Sequence, residues 1–287
     1  TLTRGFFPRA ALSIVALSAT LSTSSLQGGI SITDSGSYSE NFNSLPSTGS
    51  TNTSHTWEND STLPGWFAEG QVDAGALTLI YTGPHTSNSG STRFYSYGSP
   101  TNDADRAMGF VQTNTSGTNN YVMGLLLENQ SGSTVTFDTF SFTGEQYRYS
   151  GAAANTNTAW YQISSTEITS PSYGSSDGWT ALPSLDFTSP LHSGNNPDSL
   201  SSGSVTNGNL DNNKTLVTAD ISAITLAPNE FIMFRFFDLD YSGTDHGLGY
   251  DDLSVSWIVT AVPEPSTYAL MLSLSIGIAL LVRRRFQ

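Results

Sequence analysis

Thr134-Val135-Thr136-Phe137-Asp138-Thr139-Phe140-Ser141-Phe142 decides the fold of this chain. Apolar residues recur at every second position, the period of a strand whose two faces meet different surroundings. Val135 and Phe137 point inward, joined by one or both of Phe140 and Phe142 after a shift of register near Asp138. Phe231-Ile232-Met233-Phe234-Arg235-Phe236-Phe237 reads as a nearly continuous apolar strand with one charge, and Leu253-Ser254-Val255-Ser256-Trp257-Ile258-Val259 alternates again. The same reasoning places strands at Ile30–Thr33, Ala76–Tyr81, Ala107–Val111, Tyr121–Glu128, Ala159–Ser164 and Leu216–Ile221. Polar, turn-rich stretches at Ser47–Ser54, Ser99–Asp103, Asn114–Asn120 and Ser193–Asn213 separate them. About ten short strands with long polar connections and no helical periodicity predict an all-β fold, an antiparallel β-sandwich of jelly-roll-like type.

Composition narrows what this sandwich can do. It occupies residues 29–260, a length at which a single β-sandwich is common. Without cysteine there is no disulfide, zinc–thiolate site or cysteine nucleophile. Arg93, Arg106, Arg148, Lys214 and Arg235 are its only basic residues, against 23 acidic ones between Asp34 and Asp252, a net charge of −18. Nucleic acid and anionic lipid headgroups are therefore poor partners on electrostatic grounds; cations, polysaccharides or other surface proteins fit better, and the acidic balance equally serves solubility.

The ends of the chain read as targeting segments. Arg4 and Arg9 precede the apolar stretch Ala10–Ala19, followed by small residues through Ser25, the layout of a secretory signal peptide over residues 1–28. Cleavage is expected between Ala19 and Gly29. Because the chain opens on Thr1, an initiator methionine or a few residues are expected to precede it. At the other end, Pro263 and Pro265 hold Glu264 in an extended segment, since prolines so spaced cannot join a regular helix. Ser266 can cap a helix over the apolar run Tyr268–Val282, about 15 residues or ~22 Å, and Arg283, Arg284 and Arg285 stop it on the cytoplasmic side. That is short for a hydrocarbon core of about 30 Å, a deficit that tilt, thinning and snorkelling arginines can absorb.

This order of Pro-Glu-Pro, short transmembrane helix and arginine cluster over residues 261–287 resembles the PEP-CTERM sorting signal of Gram-negative bacteria, including the run Pro263-Glu264-Pro265-Ser266-Thr267-Tyr268-Ala269-Leu270. The resemblance implies an exosortase as partner. That membrane-embedded cysteine-protease-like transpeptidase cuts at the motif and passes the protein from the inner membrane to the cell surface or extracellular matrix. The same tail carries the label "ice-binding protein C-terminal" in some family classifications. The threonines of this chain lack the regular spacing that a flat ice-binding array needs.

Several motifs in the sandwich resemble a recurring ectodomain of PEP-CTERM proteins, a concanavalin- or MAM-like jelly roll. They are Asn41-Phe42-Asn43-Ser44-Leu45, Trp57 through Leu63-Pro64-Gly65-Trp66, Asp105-Arg106-Ala107-Met108-Gly109, Gly144-Glu145-Gln146-Tyr147-Arg148, and the stretch from Asp238 to Asp252.

Three constellations carry candidate chemistry. Asp238, Asp240 and Asp245, in a loop with Gly243 at the turn, offer alternate carboxylates to a hard cation such as calcium. The spacing is not an EF-hand, and the competing reading is an Asp/Gly turn with Asp251 or Asp252 capping it or pairing with Arg235. Glu145 and Arg148 could border a carbohydrate cleft, but on a regular strand they face opposite sides, and Arg148 is expected to pair with a carboxylate; Asp105-Arg106 reads likewise as an ion pair. His55, His85 and His192 lie in unpatterned loops, His246 reads as a turn residue, and no nucleophile elbow, zinc-binding helix or phosphate loop occurs. The chain is thus expected to be a non-enzymatic, exported, exosortase-processed surface or matrix protein. The alternative is a carbohydrate-binding or glycan-processing module, with Trp57, Trp66, Tyr95 and Tyr97 as exposed aromatics.

Overall fold

A computed structural model describes residues 28–47, 52–71, 75–83, 93–99, 102–112, 120–241 and 243–260. Two sheets pack face to face. The eight-stranded sheet runs β12 (Thr180–Ala181), β11 (Thr156–Ser164), β17 (Phe231–Asp238), β9 (Tyr121–Asn129), β4 (Trp66–Gly70), β5 (Gly75–Ala76). β1 (Ile30–Ile32) joins it along β9 and β13 (Phe187–Thr188) along β11. The ten-stranded sheet runs β14 (Ser204–Val205), β10 (Thr134–Tyr149), β18 (Gly247–Thr260), β8 (Asn102–Val111), β7 (Arg93–Ser99), β6 (Leu79–Thr82), β3 (Ser54–Thr56). β15 (Lys214–Asp220) and β16 (Thr225–Leu226) add to β10, and β2 (Gly36–Glu40) to β18. All pairings are antiparallel except β1 with β9 and β6 with β7. Successive long strands β8 to β11 cross from one sheet to the other, as do β17 and β18. The expected antiparallel sandwich is present.

The inward faces explain the sequence pattern. Phe137, Phe140 and Phe142 of β10 are all buried and meet Phe234 and Phe236 of β17 edge-on at centroid distances of 5.1 to 5.9 Å. Both Phe140 and Phe142 can point inward because the pairing of β10 with β18 shifts between Phe137 and Phe140, at the Asp138-Thr139 pair where the alternation breaks. A second shift, between Ser141 and Thr143, coincides with Asp252, whose φ of +46° lies in the left-handed region. β18 holds its partner to the end of the described chain, where Thr260 faces Thr134.

Among strands longer than two residues, β2, β3, β4 and β7 lie outside the segments expected from the sequence. All five residues of β4, Trp66-Phe67-Ala68-Glu69-Gly70, are buried, so no polar face shows in its sequence. The aromatics expected at the surface lie inside instead. Trp57, Trp66, Tyr95 and Tyr97 are each at most 2% exposed. Trp57 donates to Asn59 Oδ1 (2.8 Å) and packs edge-on against Phe94; Trp66 donates to the Tyr38 hydroxyl (3.0 Å). An indole buries well once its N–H finds an acceptor, and each has one.

The signal peptide, apart from Gly28, and the whole sorting segment with its apolar run lie outside the described residues. Among the described residues no helix is long and apolar enough to cross a membrane.

Candidate functional site

The outward face of the eight-stranded sheet carries a groove. Pairing aligns Trp160 of β11 with Arg235 of β17 and Gly124 of β9, and Thr158 with Phe237 and Val122, so these side chains share the face opposite the core. The connection from β11 to β12 folds back over part of this face. Its Ile168 and Trp179 cover Phe67, Leu126, Phe231 and Met233. Gly124 makes the close approach feasible, since a Cβ there would lie 2.7 Å from Met233 Sδ and 3.2 Å from Pro171 Cβ.

Arg235 fastens this cover. Its Nη1 donates to the carbonyls of Pro171 (2.8 Å), Ser172 (2.8 Å) and Ser175 (3.0 Å), and its guanidinium lies 4.0 Å from the centre of the Trp179 ring. Burial pulls its pKa down to about 10, so it stays charged at neutral pH. Ser172 takes a left-handed φ of +57° where the loop turns over the guanidinium. Replacing Arg235 with methionine is expected to release the loop. Chymotrypsin should then cut after Tyr173 at least about tenfold faster than in the parent, because the carbonyls lose their donor and the strained Ser172 turn relaxes. Lysine should not restore protection, since an ammonium cannot reproduce the planar stack. An unchanged digestion rate would count against this role.

Beyond the cover the face remains open as a groove of about 400 Å³, lined by Trp160, Tyr173, Phe237, Asn120, Thr158 and Leu239, with Arg235 beneath. The Trp160, Tyr173 and Phe237 side chains are each half-buried. Thr158, Ser175, Ser176 and Asn120 add hydroxyls and an amide to the lining.

The carboxylates picked out in the sequence come near one another at the far end of β17. Asp238 and Asp245 are buried, and Asp238 Oδ2 and Asp245 Oδ1 accept no hydrogen bond. Burial drives the Asp238 pKa well above the ordinary carboxylate value, and the charges of Asp245 and Asp240 add to that. Burial likewise raises Asp245 to about 7, with Asp240 adding to it and the Tyr241 N–H and Arg148 opposing. Among the described residues no group of three His, Cys, Asp or Glu side chains, Asp238, Asp240 and Asp245 included, is close enough together to hold a metal ion.

Three further pairings differ from expectation. Arg235 meets neither Asp251 nor Asp252, because β17 and β18 lie in different sheets. Arg148 donates to the backbone carbonyl of Asp245, whose carboxylate acts on it only through its field. Adjacent strand residues face opposite ways, so Arg106 turns to Ser96 while Asp105 accepts from Asn209. His246 is buried rather than displayed on a turn. Its Nδ1 accepts from the Ser150 N–H (3.1 Å), which leaves Nε2 to donate to the Ala153 carbonyl (3.2 Å), and burial lowers its pKa to about 4.

Glu145 stands in a cluster with Asp105, Asp251 and Asp252. The Tyr147 hydroxyl lies 2.6 Å from Glu145 Oε2 and 3.1 Å from Asn209 Oδ1, two acceptors for a single hydrogen. Asn209 cannot turn its amide round, since its nitrogen donates to Asp105. The shorter contact takes the hydrogen, so Tyr147 donates to Glu145 Oε2. Burial raises the Glu145 pKa to about 7, with the Tyr147 hydroxyl opposing that shift and the charge of Asp105 adding to it.

Residues 261–285 match the PEP-CTERM protein-sorting motif. No curated protein matches the chain. Solved structures overlap it loosely. The family 11 carbohydrate-binding module of Clostridium thermocellum is 10% identical, covering 74% of this chain and 100% of that one at a TM-score of 0.32. The K1 cleaved adhesin domain of Lys-gingipain from Porphyromonas gingivalis W83 is 14% identical over 77% and 98%, also at 0.32. The CBM22-1 xylan-binding domain of Xyn10C from Paenibacillus barcinonensis is 8% identical over 74% and 97%, at 0.28. Overlaps this loose carry no information on ligand, and none of the three is a concanavalin- or MAM-like protein by description. The chain is thus an all-β sandwich that runs directly into a PEP-CTERM motif.

Proposed function

We propose that this protein is an exported precursor, held in the inner membrane of a Gram-negative bacterium by its C-terminal segment, cut by an exosortase and delivered to the cell surface or extracellular matrix. The observation that carries this reading is the sorting motif at residues 261–285, which begins at the residue after β18 ends. β18 is paired with β10 up to Thr260, so only Ala261 and Val262 separate folded sheet from Pro263. At ~3.4 Å per extended residue the sandwich is held within about 10 Å of the cleavage motif. The anchor is temporary, and what it delivers is a non-enzymatic module. Glu264→Ala, expressed in a host with its exosortase, is expected to leave the full-length protein in the membrane fraction. Processing and surface delivery at the parental level would sink the sorting mechanism.

A second reading concerns what the delivered module does. The groove over Trp160 and Phe237 is favoured as a polysaccharide-binding face, because half-exposed rings beside hydroxyl and amide groups match the apolar faces and hydroxyl rims of sugars.

A further inference from the structure

We infer that the groove on the outward face of the eight-stranded sheet selects neutral polysaccharide chains and rejects anionic ones; this rests on the polysaccharide reading of that groove. The charge of the lining decides it. Besides Arg235, the groove is lined by neutral side chains such as Trp160, Tyr173, Phe237, Asn120 and Thr158. Arg235 is 2% exposed and lies beneath, its Nη1 engaged by three loop carbonyls, its Nε buried without a partner and its Cζ over the Trp179 ring. A uronate or sulfate group entering the groove would meet only Arg235, held beneath the rings at 2% exposure and out of direct reach, and would surrender hydration without a contact partner.

None of the other cations of the sandwich can serve. Arg93 lies over the Tyr81 ring at 4.3 Å, and Arg106 and Arg148 are buried in the ten-stranded sheet, at most 1% exposed. Lys214, at 3.6 Å from Asp211, belongs to β15 of the same sheet. The net charge of −18 adds a long-range repulsion against any polyanion.

The backbone argues against a peptide in the same place. β17 is paired on both sides, with β11 and β9, so the groove floor presents side chains and no free strand edge for an added strand. Flat rings and neutral hydrogen-bonding groups are what remains, and a chain of uncharged pyranoses uses both.

The test is native gel electrophoresis of the detergent-solubilised full chain. Gels would contain neutral polysaccharides (mixed-linkage β-glucan, xylan, mannan and galactan) or the polyanions polygalacturonate and alginate, at low salt and at about 0.5 M NaCl. Retardation by at least one neutral polysaccharide is expected, insensitive to salt, with none by either polyanion. Trp160→Ala and Tyr173→Ala should each weaken that retardation at least about tenfold while their melting curves stay cooperative. Retardation by a polyanion that disappears in high salt would overturn the charge selection while leaving the polysaccharide reading intact. If no polysaccharide retards the chain, or if neither substitution alters the retardation, the polysaccharide reading of this groove falls as well.

Discussion

Gly109→Ala is expected to cost about 3 kcal/mol or more, lowering the melting temperature by roughly 6–12 °C. Gly109 of β8 pairs with Gly249 of β18, and a Cβ at Gly109 would lie 2.0 Å from the Leu248 carbonyl oxygen and 2.6 Å from Gly249 Cα. Both obstacles are backbone, so no rotamer change relieves the overlap; the two strands must separate. Their separation would disturb more than one pair. The Tyr97 and Tyr147 rings stack 4.7 Å apart over this region, and Tyr97 approaches to 3.2 Å of the Cβ position of Gly249. Small residues under large rings are how this face closes. Gly36→Ala is the control, because a Cβ there meets nothing within 4 Å, and its melting temperature should match the parent. Equal melting temperatures for the two variants would show that β8 and β18 are not so closely apposed.

Stability is also expected to fall as pH rises from about 5 to 8, by on the order of 7 kcal/mol, which lowers the melting temperature by more than about 10 °C. Burial raises Glu145 and Asp245 to about 7 and Asp251 to about 8, against ordinary values near 4. Between those limits the native state binds more protons than the unfolded chain, so removing protons favours unfolding. The stabilisation is complete below the unfolded values and is lost through pH 7 to 8. His246 acts the other way. With its pKa lowered to about 4, it contributes stability above 6.5 that is lost as pH falls toward 4. Three carboxyls outweigh one imidazole, so the slope is negative from pH 5, is steepest near pH 6 to 6.5 and flattens as the carboxyls finish titrating toward pH 8. Glu145→Gln should reduce the slope and raise stability at pH 8, since an amide keeps an acceptor for the Tyr147 hydroxyl and carries no buried charge at any pH. A melting temperature that is flat or rising from pH 5 to 8 would contradict the burial of these carboxyls.

Much of the fold was legible because strand period is a local property. The alternation in Thr134–Phe142 and Leu253–Val259 survives in β10 and β18, and even the break near Asp138 marks a real shift of register. Where a segment is buried on both faces, the signal vanishes: Trp66–Gly70 shows no alternation because its outward face is covered too. Exposure was misread for the same reason. Nothing beside Tyr95 or Tyr97 in the sequence tells that the two rings stack 5.0 Å apart, with Tyr147 beyond them. The groove was equally hidden. Trp160 and Arg235 are brought together only by the register of β11 with β17, and Tyr173 reaches them only because its loop returns over the sheet.

The sequence alone determined the all-β character, the acidic and cysteine-free composition, and the Pro-Glu-Pro tail, since each is set by residue type and short-range order. Tertiary structure decided which aromatics face solvent, which carboxyls crowd together, and where the five cations of the sandwich lie. Those depend on pairings between strands distant in the chain, where the energy of burying one side chain is fixed by partners that its own neighbours in sequence do not specify.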